Sequence, residues 1–401
     1  MTHDPVAGRI SRRGVLGGSL AATAMAAFPG GVFAGGGDRI RVGLVGCGGR
    51  GVGAALHAAL AGPDVEVAAI GDLFADQVSL AADSIASAGR RHGAPLLTFL
   101  GPQAAAQVIA ADVDLVILAT PPHLRPSHAA LAIRAGRHVF CEPPVAVDAA
   151  GALAMLAVAA EARARGLTAA CGLHSRHHAP TAAAIARIHD GRIGRVTRGV
   201  AVAELGLPWR RPRLAGWTDA EHEQRNWIDV PRLSGGPLVE HHVHAIDRVL
   251  WAFGDLPPES VTPLFHTELL PTPAERSPAV AVAYRFADGR TLVAGIARRE
   301  GIETRVEETV YGTRGDADLR AALVSAPGRD GGSPYESCMR AVIEGIRWGS
   351  PLGDLESGCR STMAAILGRD AATAGVPLGW NDVRTAGSGG QAIQPLQSAR
   401  V

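Results

Sequence analysis

The stretch RVGLVGCGGRG, residues 41–51, decides the fold. Its apolar start reads as a strand, its glycines as a tight turn, and the alanine-rich segment beyond as the opening of a helix. Gly46, Gly48 and Gly51 fill the glycine positions of a G-x-G-x-x-G pattern. The first glycine permits the turn, the second lets backbone approach a pyrophosphate, and the third lets helix and strand pack closely. Cys47, Gly49 and Arg50 share that turn, and a helix starting here aims its free N–H groups at phosphate oxygens. In a chain with 50 glycines the pattern alone is weak. It gains force from VEVAAIGDLF (65–74), a second strand-like run whose Asp72 is placed to accept the hydroxyls of an adenosine ribose. A carboxylate there disfavours a 2′-phosphate, and Leu73 and Phe74 bring no cation, so NAD is expected over NADP. Otherwise the corner is an ordinary strand-turn-helix that binds nothing.

Working outward, strand-like runs alternate with helical ones: VDLVILATPP (113–122), HVFCEPPV (138–145) and LTAACGL (167–173). Such repetition predicts a parallel sheet, here a Rossmann domain over 38–173, with ligands beyond the carboxyl ends of its strands. Thr120, Pro121, Pro122, His123 and Glu142 fall there as cofactor-binding candidates, and Arg176 as a substrate-binding one or else a partner in a surface salt bridge. Later segments change period. AVAVAYRFADGRTLVAGIARR (279–299) alternates by two about an Asp288–Gly289 turn, which predicts a hairpin. The fold class is therefore α/β: a Rossmann domain followed by an α+β domain over 174–384 with a large, mostly antiparallel open sheet. Helices near Tyr335–Trp348 and Leu355–Gly375 are expected to pack back on the first domain, and 385–401 to form a disordered tail.

Composition narrows the function. With 47% apolar and 19% charged residues the 401-residue chain is globular, and a formal net charge of +1 gives no general attraction to nucleic acid or an anionic membrane. All 39 basic residues are arginine, so no lysine is available for proton transfer. Five scattered cysteines without a C-x-x-C pair indicate neither a zinc site nor a disulfide framework. Residues 1–34 read as an address: Arg12 and Arg13 precede an apolar stretch of roughly 20 Å as a helix, short of a ~30 Å hydrocarbon core. The pattern suggests a twin-arginine signal and an extracytoplasmic, periplasm-like destination through the Tat machinery, without a membrane span. A disordered arm is the alternative.

GLVGCGGRG, ATPPHLRPSHA with AIRAGRHVFCEPPVAVD (119–148), HDGRIGRV (189–196) and SGGPLVEHHVHAID (234–247) together resemble the Gfo/Idh/MocA oxidoreductases. The stretch before and through the last motif is similar to an exported subgroup of that family. The resemblance implies an NAD(P)-binding domain, a sheet domain that pairs subunits as a homo-oligomer, and a carbohydrate, polyol or inositol as substrate. It also implies catalysis by the lysine of an E-K-P motif with an aspartate and a histidine. Here E-K-P reads Glu142-Pro143-Pro144, the aspartate position falls on Glu240, and the histidine falls on His244.

Residue physics supports Glu240 and His244 as a unit, since positions i and i+4 share a helix face and a carboxylate can orient an imidazole. The activity is then expected to follow a histidine-like titration near neutral pH. His242 points elsewhere, and EHHVH lacks strict metal spacing, so no metal is expected. Arg225, Asn226 and Trp227 offer a guanidinium, an amide and an indole face to a sugar, or else form a subunit contact. Three functions stay open: an exported NAD-dependent oxidoreductase, a glycosidase-like enzyme that uses NAD in a closed redox cycle, and a sugar-binding protein with a degenerate site.

Overall fold

A computed structural model describes residues 39–88, 95–267, 279–324 and 333–382. The expected address over 1–34 and the tail over 385–401 lie outside them. Strand β1 (Ile40–Val45) enters α1 (Gly49–Leu60). The alternation continues through β2 (Val65–Asp72), α2 (Ala75–Ser87), β3 (Leu97–Leu100), α3 (Ala104–Ala110), β4 (Leu115–Leu118), α4 (Arg125–Arg134), β5 (His138–Cys141), α5 (Ala149–Ala164) and β6 (Ala169–Cys171). These six strands are parallel in the order β3-β2-β1-β4-β5-β6. Strand β1 lies between β2 and β4, so the chain winds outward in both directions from it and a crevice opens at the carboxyl ends there. Every residue of β4 is buried, as expected of a strand covered on both faces.

The second part begins with α6 (Ala179–His189) and β7 (Val196–Leu205), then four helices: α7 (Asp219–Arg225), α8 (Pro231–Ser234), α9 (Pro237–Glu240) and α10 (Val243–Ala252). Strands β8 (Ser260–Thr267), β9 (Ala279–Arg285), β10 (Thr291–Arg298), β11 (Arg305–Gly312) and β12 (Gly315–Asp318) follow, then α11 (Leu319–Val324), α12 (Pro334–Arg347), α13 (Leu355–Ala374) and β13 (Leu378–Gly379). The second sheet runs β12-β11-β7-β10-β9-β8-β13 and is antiparallel except between β7 and β10. The expected hairpin is present, with Phe286 N–H on Arg290 O at 2.9 Å and Gly289 at φ 85°. Alternation in β9 sends Val280, Val282 and Tyr284 into the core and leaves the intervening alanines on the open face.

The last two long helices return to the first domain, as expected. A reciprocal cap starts α12: Ser333 Oγ accepts from Glu336 N–H, and the Glu336 carboxylate accepts from Ser333 N–H. Its apolar face, including Met339, Val342 and Ile343, packs in the core against α1. Helix α13 serves both sheets. Leu355 and Cys359 join the core beside β5 and β6, while Met363 to Leu367 join the core of the second sheet. It approaches closely at two glycines: a Cβ at Gly358 would lie 2.5 Å from Cys171 Sγ, and one at Gly368 2.3 Å from Tyr284 Oη.

Candidate active site

The cleft lies beyond the carboxyl ends of β1, β4 and β5, and its first wall is the glycine turn. Gly46 has φ 97°, and a Cβ there would sit 2.7 Å from the backbone of Ala119 and Thr120. A Cβ at Gly51 would sit 2.0 Å from Gly46 O, so the chain itself demands glycine at both places. Gly48 and Gly49 instead face open space, with nothing within 4 Å of an added Cβ. That opening, at the start of α1, fits a pyrophosphate. Asp72 closes the turn by accepting from Cys47 N–H at 2.7 Å and Phe74 N–H at 3.0 Å. Its oxygens keep lone pairs for ribose hydroxyls. Burial raises its carboxyl pKa, and the backbone N–H donors oppose that shift. Cys47 is packed and its thiol is pushed up to about 12 by burial, so it is no nucleophile.

The loops after β4 and β5 are tied by one buried guanidinium. Arg125 donates to Thr120 O at 2.8 Å, Glu142 O at 2.9 Å and Pro144 O at 2.5 Å. The Pro143–Pro144 peptide is cis. Pro122 is buried and Pro121 half-buried beside this knot. His123 reaches the opposite wall, with Nδ1 at 3.3 Å from Leu233 O. The Glu142 carboxylate is 5% exposed and accepts from Arg50 Nε at 2.8 Å. Burial raises its pKa, while Arg50 and Arg125 hold it down. Thus Arg50, from the glycine turn, supplies the cation beside Glu142 in a chain without lysine.

The second wall corrects the expected pairing of Glu240 with His244. Helix α9 ends at Glu240, and α10 starts only at Val243. The intervening turn breaks the i,i+4 face, and no hydrogen bond joins the two side chains among the described residues. Glu240 turns to Arg298, 3.7 Å away, in a small hollow with Asp229, Ser234 and Pro237. Burial raises its carboxyl pKa, opposed by Arg298 and Arg125. His242 turns to the sheet, with Nε2 2.6 Å from Ala201 O. His244 lies in the cleft, where burial and the neighbouring His174, Arg248, His241 and Arg50 push its pKa well below the ordinary histidine value. This overturns the expectation of a neutral-pH titration. Among the described residues no group of three His, Cys, Asp or Glu side chains is arranged to hold a metal.

Three substrate candidates are committed elsewhere. Arg176 makes two-pronged contacts with both Asp247 and Asp255, at 2.6–3.1 Å, which leaves no free edge for a sugar. Asn226 is 3% exposed and uses its amide on Arg211 N, Arg211 O and His222 O. Arg225 crosses to the first domain, where it binds Asp76 at 3.0 Å and lies 3.9 Å over the Phe74 ring. A cation therefore does stand near Phe74, contrary to the local reading, but Asp76 and Glu221 hold it. Trp227 remains half-buried and meets Trp209 edge-on at 6.5 Å.

His174 and Tyr335 were missed. His174 follows β6 closely, so the rule that ligands gather beyond strand ends points to it. Its ring lies 5.3 Å from that of His244 and 4.2 Å from that of Tyr335, centroid to centroid. Tyr335 comes from the first turn of α12, and Arg50 lies 4.2 Å over its ring. The sequence marked only the helix that Tyr335 opens; the strand end it meets was not marked.

Comparison with known proteins agrees with this architecture. Residues 40–169 match the oxidoreductase family with an NAD-binding Rossmann fold, and residues 181–318 match the GFO/IDH/MocA C-terminal domain. The chain is 33% identical over 150 residues to 1,5-anhydro-D-fructose reductase of Ensifer adhaerens, covering 37% of this chain and 40% of the relative. It is 27% identical over 281 residues to inositol 2-dehydrogenase of Rhizobium meliloti (strain 1021), covering 69% and 74%. A solved scyllo-inositol dehydrogenase from Lactobacillus casei, with bound NAD(H) and scyllo-inositol, superposes with TM-score 0.66 at 17% identity, covering 86% of this chain and all of that one (100%). At that identity the likeness speaks to fold alone. With both domains matched in order, the chain belongs to the GFO/IDH/MocA oxidoreductase family, its first domain an NAD-binding Rossmann fold.

Proposed function

We propose that this protein oxidises a carbinol carbon of a sugar, polyol or inositol, or reduces the corresponding carbonyl, outside the cytoplasm, with His244 handling the hydroxyl proton. One observation carries the reading: an imidazole held neutral by burial lies within the influence of Arg50, the side chain of the same turn whose Gly48 and Gly49 leave an open cradle. NAD, when bound, supplies the nicotinamide carbon that takes or gives the hydride. Gly48 and Gly49 leave room for its pyrophosphate, and Asp72 would hold its ribose. His244 accepts the hydroxyl proton in oxidation and returns it in reduction. Glu240, set apart from His244, binds substrate hydroxyls with Arg298, and Trp227 offers a ring face to the sugar. Pro143 leaves the lysine position without a proton-carrying group, so turnover depends on the imidazole.

Export is supported by the twin-arginine stretch, and subunit pairing by the open face of the second sheet. There Val200, Val202, Ala281, Ala283 and Val293 form a half-buried apolar surface with small side chains. The closed-cycle reading is supported by Glu240: a carboxyl whose pKa is raised by burial is suited to protonating a leaving group. The deciding experiment denatures purified mature protein, assays the released nicotinamide nucleotide, and incubates intact protein with sugars and polyols. Product with stoichiometric nucleotide reduction supports the redox reading. Product without net reduction favours the closed cycle. Bound sugar with no product overturns both in favour of a binding protein. Replacing Arg12 and Arg13 by alanine is expected to retain the precursor inside the cell, and unaffected export would remove the Tat assignment.

A further inference from the structure

A row of rings leads from His244 toward the surface. His244 sits on α10, His174 follows β6, Tyr335 opens α12, and His57 lies in the last turn of α1. Successive ring centroids are 5.3, 4.2 and 6.1 Å apart. Three buried side-chain polar atoms lack a hydrogen-bond partner among the described residues, and two belong to this row: His174 Nδ1 and His57 Nδ1. His174 is 8% exposed and Tyr335 38%, so the row runs from interior to solvent. A buried ring nitrogen without a partner is costly, and its retention beside a second imidazole calls for a use.

We infer that His174 is the proton relay of this site, receiving from His244 the proton that the substrate hydroxyl loses and releasing one of its own to solvent. The inference rests on the proposed redox reading and extends it. A neutral imidazole has one N–H and one bare nitrogen, so it can accept a proton on one side and release another from the opposite side. The alcohol proton goes to His244, a His244 proton goes to His174, and a His174 proton leaves to solvent. After one passage both rings are neutral again, with their tautomers exchanged, and ring rotation resets them. His174 does not touch the reacting carbon; it acts through His244.

The charges around the row favour passage over storage. Arg50 lies over Tyr335, and Arg248 stands beside both imidazoles while bound to Glu308 and Ser175. His178 adds to the lowering of His174, which a hydrogen bond to the Gly172 backbone opposes, and His241 adds to the lowering of His244. Arg50 and Glu336 act on His57 with opposite sign. Burial is the first cause that lowers both buried imidazoles, and His174 is brought to about 4, so a proton resting on either ring is unstable.

The test uses the mature protein with its bound nucleotide. His174→Phe keeps a ring and removes both nitrogens. The expected result is a roughly 10²-fold fall in kcat, with KM and bound nucleotide unchanged. In His174→Ala, added imidazole is expected to restore rate in proportion to its concentration. Parent-like kcat in His174→Phe, or a loss shared by KM and nucleotide content without imidazole rescue, overturns the relay. His174→Gln, a smaller change in polarity, provides the kcat and KM comparison if the other variants misfold. Should the parent turn over no polyol, the redox reading fails by itself, and the relay is then judged by nitrogen-15 NMR. If the rings share protons, both imidazoles exchange between tautomers and His174→Phe stops that exchange at His244. A His244 tautomer that is indifferent to the loss of His174 overturns the relay.

Discussion

The two walls of the cleft are built on opposite terms. On the Rossmann side the polar groups are tied to the frame: Asp72 caps the glycine turn, Arg125 knots two loops, and Arg50 holds Glu142. On the other side stand His244 and the adjoining His174, the latter with a nitrogen unclaimed by the frame. Binding rests on backbone geometry that the fold enforces, whereas the proposed proton chemistry would rest on side chains that the fold leaves uncommitted.

The contrast can be broken most directly at His244. His244→Ala is expected to reduce kcat by about 10²- to 10⁴-fold with the bound nucleotide retained, and Pro143→Lys to restore much less. A parent rate in His244→Ala would remove the difference between the walls. Next in size is Arg176→Ala, which leaves Asp247 buried without its cation. A loss of about 3–5 kcal/mol in denaturant unfolding is expected, with kcat per folded molecule unchanged. A selective rise in KM would return Arg176 to the substrate site. Gly51→Ala forces a Cβ against Gly46 O. A cost of about 1–3 kcal/mol and loss of NAD binding by calorimetry are expected, and unchanged binding would show the turn to be softer than its geometry. Smallest is Asp76→Asn, which removes one of the two carboxylates that hold Arg225 beside Phe74. A shift toward NADP of about fivefold at most, equivalent to about 1 kcal/mol, is the expected outcome, and an unchanged ratio would leave Arg225 as a clasp only.

Acid sharpens the same comparison. His138, His174 and His242 are each lowered by burial to about 4, from an ordinary value of 6.5. Their neutral forms are the folded ones, so the unfolded chain binds more protons below pH 6.5. Their contribution is intact above 6.5 and is lost as pH falls toward 4. Melting followed from pH 8 to 4 should show that decline, and stability that rises on acidification would contradict these burials. If His244 is the neutral base proposed above, the acid limb of kcat should likewise fall below the ordinary histidine value.

What could be read from sequence divides along the distance between cause and effect. The glycine turn, the strands with their carboxyl-end loops and the Asp288–Gly289 hairpin carry signals within a few residues, and each forms where expected. The Glu240–His244 face failed locally too: Gly235 and Gly236, both at positive φ, open a short α9, and the chain turns again at His241 and His242. Arg176, Arg225 and Asn226 were misjudged for another reason. Their chemistry suits a sugar, but Asp247, Asp255, Asp76 and Arg211 reach them only through tertiary packing. The meeting of His174 with Tyr335 depends on where α12 docks, which no local pattern records.

Helix α13 has a thermodynamic consequence. Its residues belong to the apolar cores of both sheets, and Gly358 and Gly368 press it against each. Melting either sheet therefore strips the helix of half its burial and exposes apolar surface on the other. The described body should unfold in one cooperative transition, with calorimetric and van't Hoff enthalpies in agreement, although its sequence divides into two domain families. Deleting the chain from Leu355 onward is not a trim of the terminus; it removes the element that makes two sheets a single thermodynamic unit.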